Sequence, residues 1–275
     1  MTLGEVLRRS ADHLAAKGSE TPRLDAELLL AHALGLARIE LYMQFDRPLA
    51  EAELAACREL VARRARHEPV AYILGEWGFR RLTLTVDRRA LIPRPETEVV
   101  VERCLALLHG VEAAAVLDVG TGSGAIALAL ADEHPGARVA AIDASAEALA
   151  LAAENVARTG LDVSLARHDL FAGLPGGPYD LVVSNPPYVE PEELAGLQPD
   201  VREWEPHEAL VGVGATEAIA RAALAVLRPG GALVLEVAEG RAGEAAALLV
   251  KLGYDEVRIT SDLAGRQRVV EGRRG

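Results

Sequence analysis

The chain carries only two cysteines, Cys57 and Cys104, far apart in sequence and outside any CxxC pair. That scarcity excludes a disulfide framework and gives no sign of a thiolate zinc site. None of the seven histidines shows H-x-x-x-H spacing, so a helical metal-binding pair is missing too, and we expect no metal. No stretch approaches the roughly 20 apolar residues of a membrane span, and Met1 to Ser10 lacks the apolar core of a signal peptide. A cytoplasmic location is the default expectation. Positive charge is in deficit, with a formal net charge of -12 and lysine confined to Lys17 and Lys251. A tight, nonspecific polyanion binder needs a basic face. This balance suits a cationic cofactor or a basic partner instead.

What is present is apolar bulk: 50% of 275 residues, enough for one large or two smaller domains. Up to about Glu68 the pattern is helical. Thr21-Pro22 opens a helix with proline at its first position, and Gly35 closes it. Leu82, Leu84 and Val86 alternate with Thr83 and Thr85, which predicts a strand or hairpin. The stiff segment Ile92-Pro93-Arg94-Pro95-Glu96 leads into a helix near Thr97. From Ala114 onward, strands and helices alternate. Strands are expected at Ala115 to Val119, Arg138 to Ile142, Asp162 to Ala166, Leu181 to Ser184 and Ala232 to Val237. This is the pattern of an open, mostly parallel α/β sheet.

Asp118-Val119-Gly120-Thr121-Gly122-Ser123-Gly124 joins the first of these strands to a helix. Its glycines permit a tight turn and close approach of a ligand, and Gly120, Gly122 and Ala125 also fit the dinucleotide fingerprint. Asp118 argues against pyrophosphate there and for a ligand bearing an ammonium and a sulfonium; it can also cap the loop's own backbone. Asp143, ending the next strand, is placed to accept from ribose hydroxyls. Ser145 is the more natural N-cap of the following helix. Asp169 is either an acceptor for an adenine amine or an ordinary turn residue.

Asn185-Pro186-Pro187-Tyr188 follows a further strand, at the sheet edge where ligands bind. The prolines fix the backbone and offer carbonyls without competing N–H groups. Asn185 adds a side-chain carbonyl, and Tyr188 a flat face for a planar group. Such an array suits an amide or aryl amine nitrogen, whose lone pair is tied up in resonance. Accepting its N–H bonds concentrates electron density on nitrogen and aims the lone pair at a methyl donor. A Pro-Pro turn with no chemical task is the plainer reading.

These segments, with Pro69-Val70-Ala71-Tyr72-Ile73-Leu74-Gly75, Leu91-Ile92-Pro93-Arg94-Pro95-Glu96-Thr97-Glu98 and Asp200-Val201-Arg202-Glu203-Trp204-Glu205-Pro206, resemble the peptide-chain release factor glutamine N5-methyltransferases, the PrmC/HemK family, over nearly the whole chain. The resemblance implies a helical substrate-recognition domain over residues 1–75 and a hairpin linker over 76–95. It implies an S-adenosylmethionine-dependent methyltransferase domain over 96–275 with a seven-stranded, mostly parallel Rossmann-like sheet. The implied reaction methylates the side-chain amide of the glutamine in the Gly-Gly-Gln motif of class I release factors and leaves S-adenosylhomocysteine. Carried over residue by residue, Gly120, Thr121, Gly122, Ser123, Gly124, Asp143, Leu170 and Asn185 contact the cofactor. Asn185, Pro186, Pro187 and Tyr188 hold the glutamine. Leu170 departs from relatives with an aromatic there, and Gly212-Val213-Gly214-Ala215-Thr216 departs from a Gly-Gly-x-Asp-Gly pattern. Arg94 and Glu96 shape the site's rim or form an ion pair within the linker. We expect a monomer that contacts neither membrane nor nucleic acid directly. The alternatives are a nucleic-acid adenine N6-methyltransferase, which holds an exocyclic amine in the same array, a nicotinamide oxidoreductase, and a non-catalytic adaptor of the same fold.

Overall fold

The computed structural model describes residues 1–275. They group into two compact units: Met1–Glu76 with Leu197–Trp204, and Trp77–Gly196 with Glu205–Gly275. No helix is long and apolar enough to cross a membrane.

The first unit is helical: α1 (Leu3–Ala16), α2 (Pro22–Leu34), α3 (Arg38–Met43), α4 (Glu51–Arg64) and α5 (Val70–Leu74). Thr2 starts α1 with a capping box, its hydroxyl taking the Glu5 N–H while the Glu5 carboxylate takes the Thr2 N–H. Pro22 occupies the first turn of α2, and Gly35 ends that helix in the left-handed region at φ 63°. Leu3, Leu7 and Leu14 of α1 and Leu29 and Leu30 of α2 are buried. Arg64 adds a buried ion pair with Asp25 at 2.7 Å and reaches Asp200 at 3.2 Å, which ties the 197–204 segment to these helices.

The second unit begins with the hairpin β1 (Glu76–Phe79) and β2 (Leu82–Thr85), followed by α6 (Thr97–Leu107). The hairpin groups with this unit, and Phe79 and Leu84 bury their side chains in the core of the large sheet. That sheet contains β3 (Ala115–Val119), β4 (Arg138–Asp143), β5 (Val163–Arg167), β6 (Tyr179–Ser184), β7 (Leu227–Glu236), β8 (Tyr254–Ser261) and β9 (Gln267–Arg274). Its order is β5-β4-β3-β6-β7-β9-β8, parallel except for the pairings of β9. Between the strands run α7 (Ala125–Glu133), α8 (Ala146–Thr159), the short α10 (His207–Leu210), α11 (Ala215–Val226) and α12 (Ala242–Leu252), while the short α9 (Pro199–Trp204) groups with the first unit.

Side chains alternate across each strand, so both faces become apolar and need cover. Val116, Val139, Leu181 and Val234 pack with Val100, Cys104 and Leu128 on one side. Leu117, Ile142, Val182 and Leu235 pack with Ile219, Ala223 and Leu249 on the other. The order reverses direction between β3 and β6, and that switch point fixes where a ligand is received.

Candidate active site

The register of four neighbouring strands builds the site. Val119 pairs with Ile142 on one side and Ser184 on the other, and Ser184 pairs with Leu235. The next residue on each strand is therefore Gly120, Asp143, Asn185 or Glu236. Residues more than a hundred positions apart in sequence end up as one row at the carboxyl edge of the sheet.

A cavity of about 590 Å³ lies at this row, within the ~300–1,000 Å³ typical of small-molecule sites. Of the residues singled out from sequence, Gly120, Thr121, Gly122, Ser123, Asp143, Leu170, Asn185 and Pro187 line it. Asp118, Gly124, Asp169, Pro186 and Tyr188 are not on its wall. Asp118 is wholly buried beneath the loop, because its strand position points inward. Gly124 is spent as the N-cap of α7. Asp169 is exposed, and its Oδ1 accepts the Phe171 N–H at 2.9 Å, so it serves the turn after β5. Pro186 is buried, and Tyr188 is half-buried in a surround of Glu236, Arg268, Arg94 and Glu96. Burial pushes the Tyr188 phenol above its ordinary value, with the Glu236 charge adding to the shift. Ser145 is the N-cap of α8, its hydroxyl taking the Ala148 N–H, which leaves Asp143 free of that duty.

The loop's backbone hydrogen bonds discriminate between ligands. The N–H groups of Gly120 and Thr121 both donate to the Ile142 carbonyl, at 2.8 and 3.0 Å. Gly122 N–H donates to Asp143 Oδ2 at 2.9 Å, and Gly124 N–H to the Thr121 carbonyl at 2.9 Å. A phosphate cradle needs such donors free and pointing outward, and here these four are taken up by the end of β4 and by the loop itself. Gly122 makes this possible at φ 56°, a conformation a side chain would strain.

Two carboxylates sit under and beside the loop. Asp118 Oδ2 accepts from the Thr121 hydroxyl at 2.6 Å. Its Oδ1 closes no hydrogen bond of good geometry, while the Ala127 N–H of α7 lies close enough to the carboxyl to favour its charged form. Burial pushes this carboxyl up to about 7. Asp143 Oδ1 accepts the Ser145 N–H at 2.9 Å, and burial raises its carboxyl too. Each oxygen of Asp143 keeps a second lone pair for a hydroxyl on the cavity side. Loop amides that are already taken up, an acidic acceptor for ribose on the wall at Asp143 and a cavity of this size fit S-adenosylmethionine, which carries an ammonium and a sulfonium. They do not fit a pyrophosphate.

Other wall residues carried weaker signals in the sequence. Ile92, Pro93 and Arg94 come from the proline-stiffened segment and Thr97 from the start of α6; Arg167 and His168 come from the end of β5, and Pro206 and Glu208 from the start of α10. Arg94 pairs with buried Glu205, not with Glu96, and Glu205 also takes the Ile92 N–H at 3.3 Å. So Arg94 both lines the cavity and holds its rim. The 212–216 loop gains a role as well. A Cβ on Gly212 would lie 2.3 Å from Pro187 Cγ, and Val189 N–H donates to the Leu210 carbonyl at 3.0 Å. This close approach braces the exit of the Asn185–Tyr188 turn.

A seven-stranded sheet of this order, with an acid-ended glycine loop and a proline-locked asparagine turn on adjacent strands, defines an S-adenosylmethionine-dependent methyltransferase. The fold is shared with a Thermus thermophilus 16S rRNA N2 methyltransferase solved in complex with AdoMet and guanosine (TM-score 0.54, 19% identity, covering 73% of this chain and 50% of that one). The family model described as PrmC N-terminal domain matches residues 5–75, and that described as methyltransferase small domain matches residues 98–197. A release factor glutamine methyltransferase of Geobacter sulfurreducens is 46% identical over 278 aligned residues, covering 100% of this chain and 97% of that relative. One from Rhodopirellula baltica is 42% identical, covering 98% and 95%. The chain belongs to the release factor glutamine methyltransferase family.

Proposed function

We propose that this protein transfers the methyl group of S-adenosylmethionine to the side-chain amide nitrogen of the glutamine in the Gly-Gly-Gln motif of class I release factors. The observation that carries this reading is the place of Asn185, on the wall of the cavity in register with the glycine loop and Asp143. When bound, S-adenosylmethionine would supply an electrophilic methyl on a sulfonium, whose methyl–sulfur bond breaks with its electron pair left on sulfur as S-adenosylhomocysteine.

The chain's residues do the rest. Asp143 takes ribose hydroxyls, Asp118 favours the ammonium end through the loop, and Leu170 gives the adenine an apolar wall. Asn185 Oδ1 and the Pro186 carbonyl accept the two N–H groups of the glutamine amide. No backbone hydrogen bond within the chain ends on the Pro186 carbonyl. Held this way, the nitrogen loses its rotational freedom and presents its lone pair along one line. As it becomes more positive in forming the new bond, both acceptors bind it more strongly, which lowers the barrier. One N–H proton then leaves to solvent and restores the neutral amide. Tyr188 flanks the turn on the substrate side. We assign recognition of the release factor to the helical unit of α1 to α5.

Incubation of the protein with a release factor and isotopically labelled S-adenosylmethionine, followed by mass-spectrometric location of the label, tests the proposal. Label on the Gly-Gly-Gln glutamine is expected. Label on DNA or RNA alone would overturn it.

A further inference from the structure

The fourth member of the strand-end row, Glu236, is 2% exposed and takes no part in the reading above. Its Oε2 accepts the Thr97 hydroxyl at 2.7 Å. Thr97 is itself 4% exposed and is the first residue of α6, following the N-cap position held by Glu96. Here no side chain caps the helix, and the hydroxyl points across to the sheet. Asn185 Nδ2 lies 3.4 Å from the same oxygen, at the long end of hydrogen bonding. Contacts of this kind are often slack without substrate and tighten when it binds.

The direction of this chain of bonds follows from counting protons. An ionised carboxylate only accepts, and a threonine hydroxyl has one hydrogen to give. Thr97 gives it to Glu236 and can then only accept from Asn185. The carboxamide must therefore turn its NH2 to Thr97 and its oxygen to the opposite side. Were the amide reversed, two acceptors would face each other, and the substrate would meet an N–H donor where it needs an acceptor.

We propose that Thr97 and Glu236 are positioning residues that lock the Asn185 carboxamide with its oxygen toward the substrate nitrogen, so that the site selects an NH2-bearing acceptor group. This rests on the reading of Asn185 as the hydrogen-bond acceptor for the glutamine amide. It explains why a carboxylate is kept buried at this strand end. The charged and titratable groups around Glu236 are Arg268 of β9, Arg94 and Glu96 from the segment before α6, and Tyr188. Burial pushes the Glu236 carboxyl up to about 7. Once protonated it can donate to Thr97, and the lock on Asn185 is released.

The test uses full-length protein with Thr97→Val, Thr97→Ser and Glu236→Gln, measuring methylation of a release factor and calorimetric binding of S-adenosylmethionine. Thr97→Val should lower kcat about 10-fold or more, as for loss of an oriented polar partner, with the cofactor Kd within about 2-fold. Thr97→Ser should restore most of the turnover. Glu236→Gln, which can donate as well as accept, should lower kcat and flatten its fall between about pH 8 and pH 6. Wild-type turnover in Thr97→Val, or equal loss in the valine and serine variants, overturns the proposal. Should Thr97→Val lose cofactor binding, Glu236→Gln decides alone, and full turnover with an unaltered pH profile overturns it. Failure of the wild-type protein to methylate any release factor refutes the proposed function instead.

Discussion

Asn155 of α8 closes both hydrogen bonds of the Thr85 backbone, its Oδ1 accepting the N–H at 2.7 Å and its Nδ2 donating to the carbonyl at 3.0 Å. The second hydrogen of Nδ2 goes to the Ser123 carbonyl at 2.9 Å. One fully buried side chain thus holds the hairpin's last residue to the glycine loop. Asn155→Ala strands two carbonyls and an N–H. Unmade buried hydrogen bonds cost ~1–3 kcal/mol each before relaxation. We expect a stability loss of at least about 2 kcal/mol in urea unfolding, with weaker cofactor binding as the loop loosens. A loss below about 0.5 kcal/mol, the range of neutral surface changes, would show that the clamp is dispensable.

Asn185→Ala removes an acceptor that strengthens as the reaction proceeds. Turnover should drop ~10²–10³-fold, while cofactor affinity changes little. Single-turnover kinetics with a release factor gives the first quantity and calorimetry the second. Turnover near that of the unaltered enzyme contradicts the mechanism.

Asp143→Ala should act at the other step. The variant loses an acceptor for ribose and also orphans the Gly122 and Ser145 N–H groups. Charge-assisted bonds contribute ~1.5–3 kcal/mol, so cofactor Kd should rise about 10- to 100-fold by that principle, with kcat at saturation far less affected. Unchanged affinity would remove Asp143 from the cofactor site.

A pH prediction follows from Asp118. Its carboxyl rises from an ordinary 3.8 to about 7 on folding because burial penalises the charge. The folded state therefore holds this proton more tightly than the unfolded chain does. The associated stability is complete below about pH 4 and is lost as pH rises to about 7. Asp118→Asn has no such loss. Between about pH 5 and pH 8 the stability difference should move in favour of the variant by about 2–3 kcal/mol, even as it binds cofactor less well. Thermal unfolding across that range checks it, and a difference independent of pH rejects it.

Much of this was legible in the sequence wherever a local pattern carried the information. Ala115–Val119 forms the strand expected of it, because a short, mostly apolar run followed by a glycine-rich turn leaves little choice of element. The strands β8 and β9 were not read individually. Most of β8 is half-exposed or exposed, and an outer strand with only Tyr254 buried shows no periodicity to detect. Nor did Glu236, Thr97 or Asn155 stand out. Glu236 ends an apolar strand, Thr97 opens a helix and Asn155 sits mid-helix among alanines, and each looks ordinary beside its neighbours. Only strand pairing and helix packing bring them to Asn185 and the glycine loop.

The alignment of the strand ends makes tolerance to insertion uneven. Lengthening the connection between α6 and β3 leaves every strand end in its place, since it merely returns the chain to the sheet. One extra residue within β6 would slide Asn185 by ~3.3 Å and turn its side chain to the opposite face. Separation along the chain is therefore free to drift among relatives, whereas the phase of each strand against its neighbour is not.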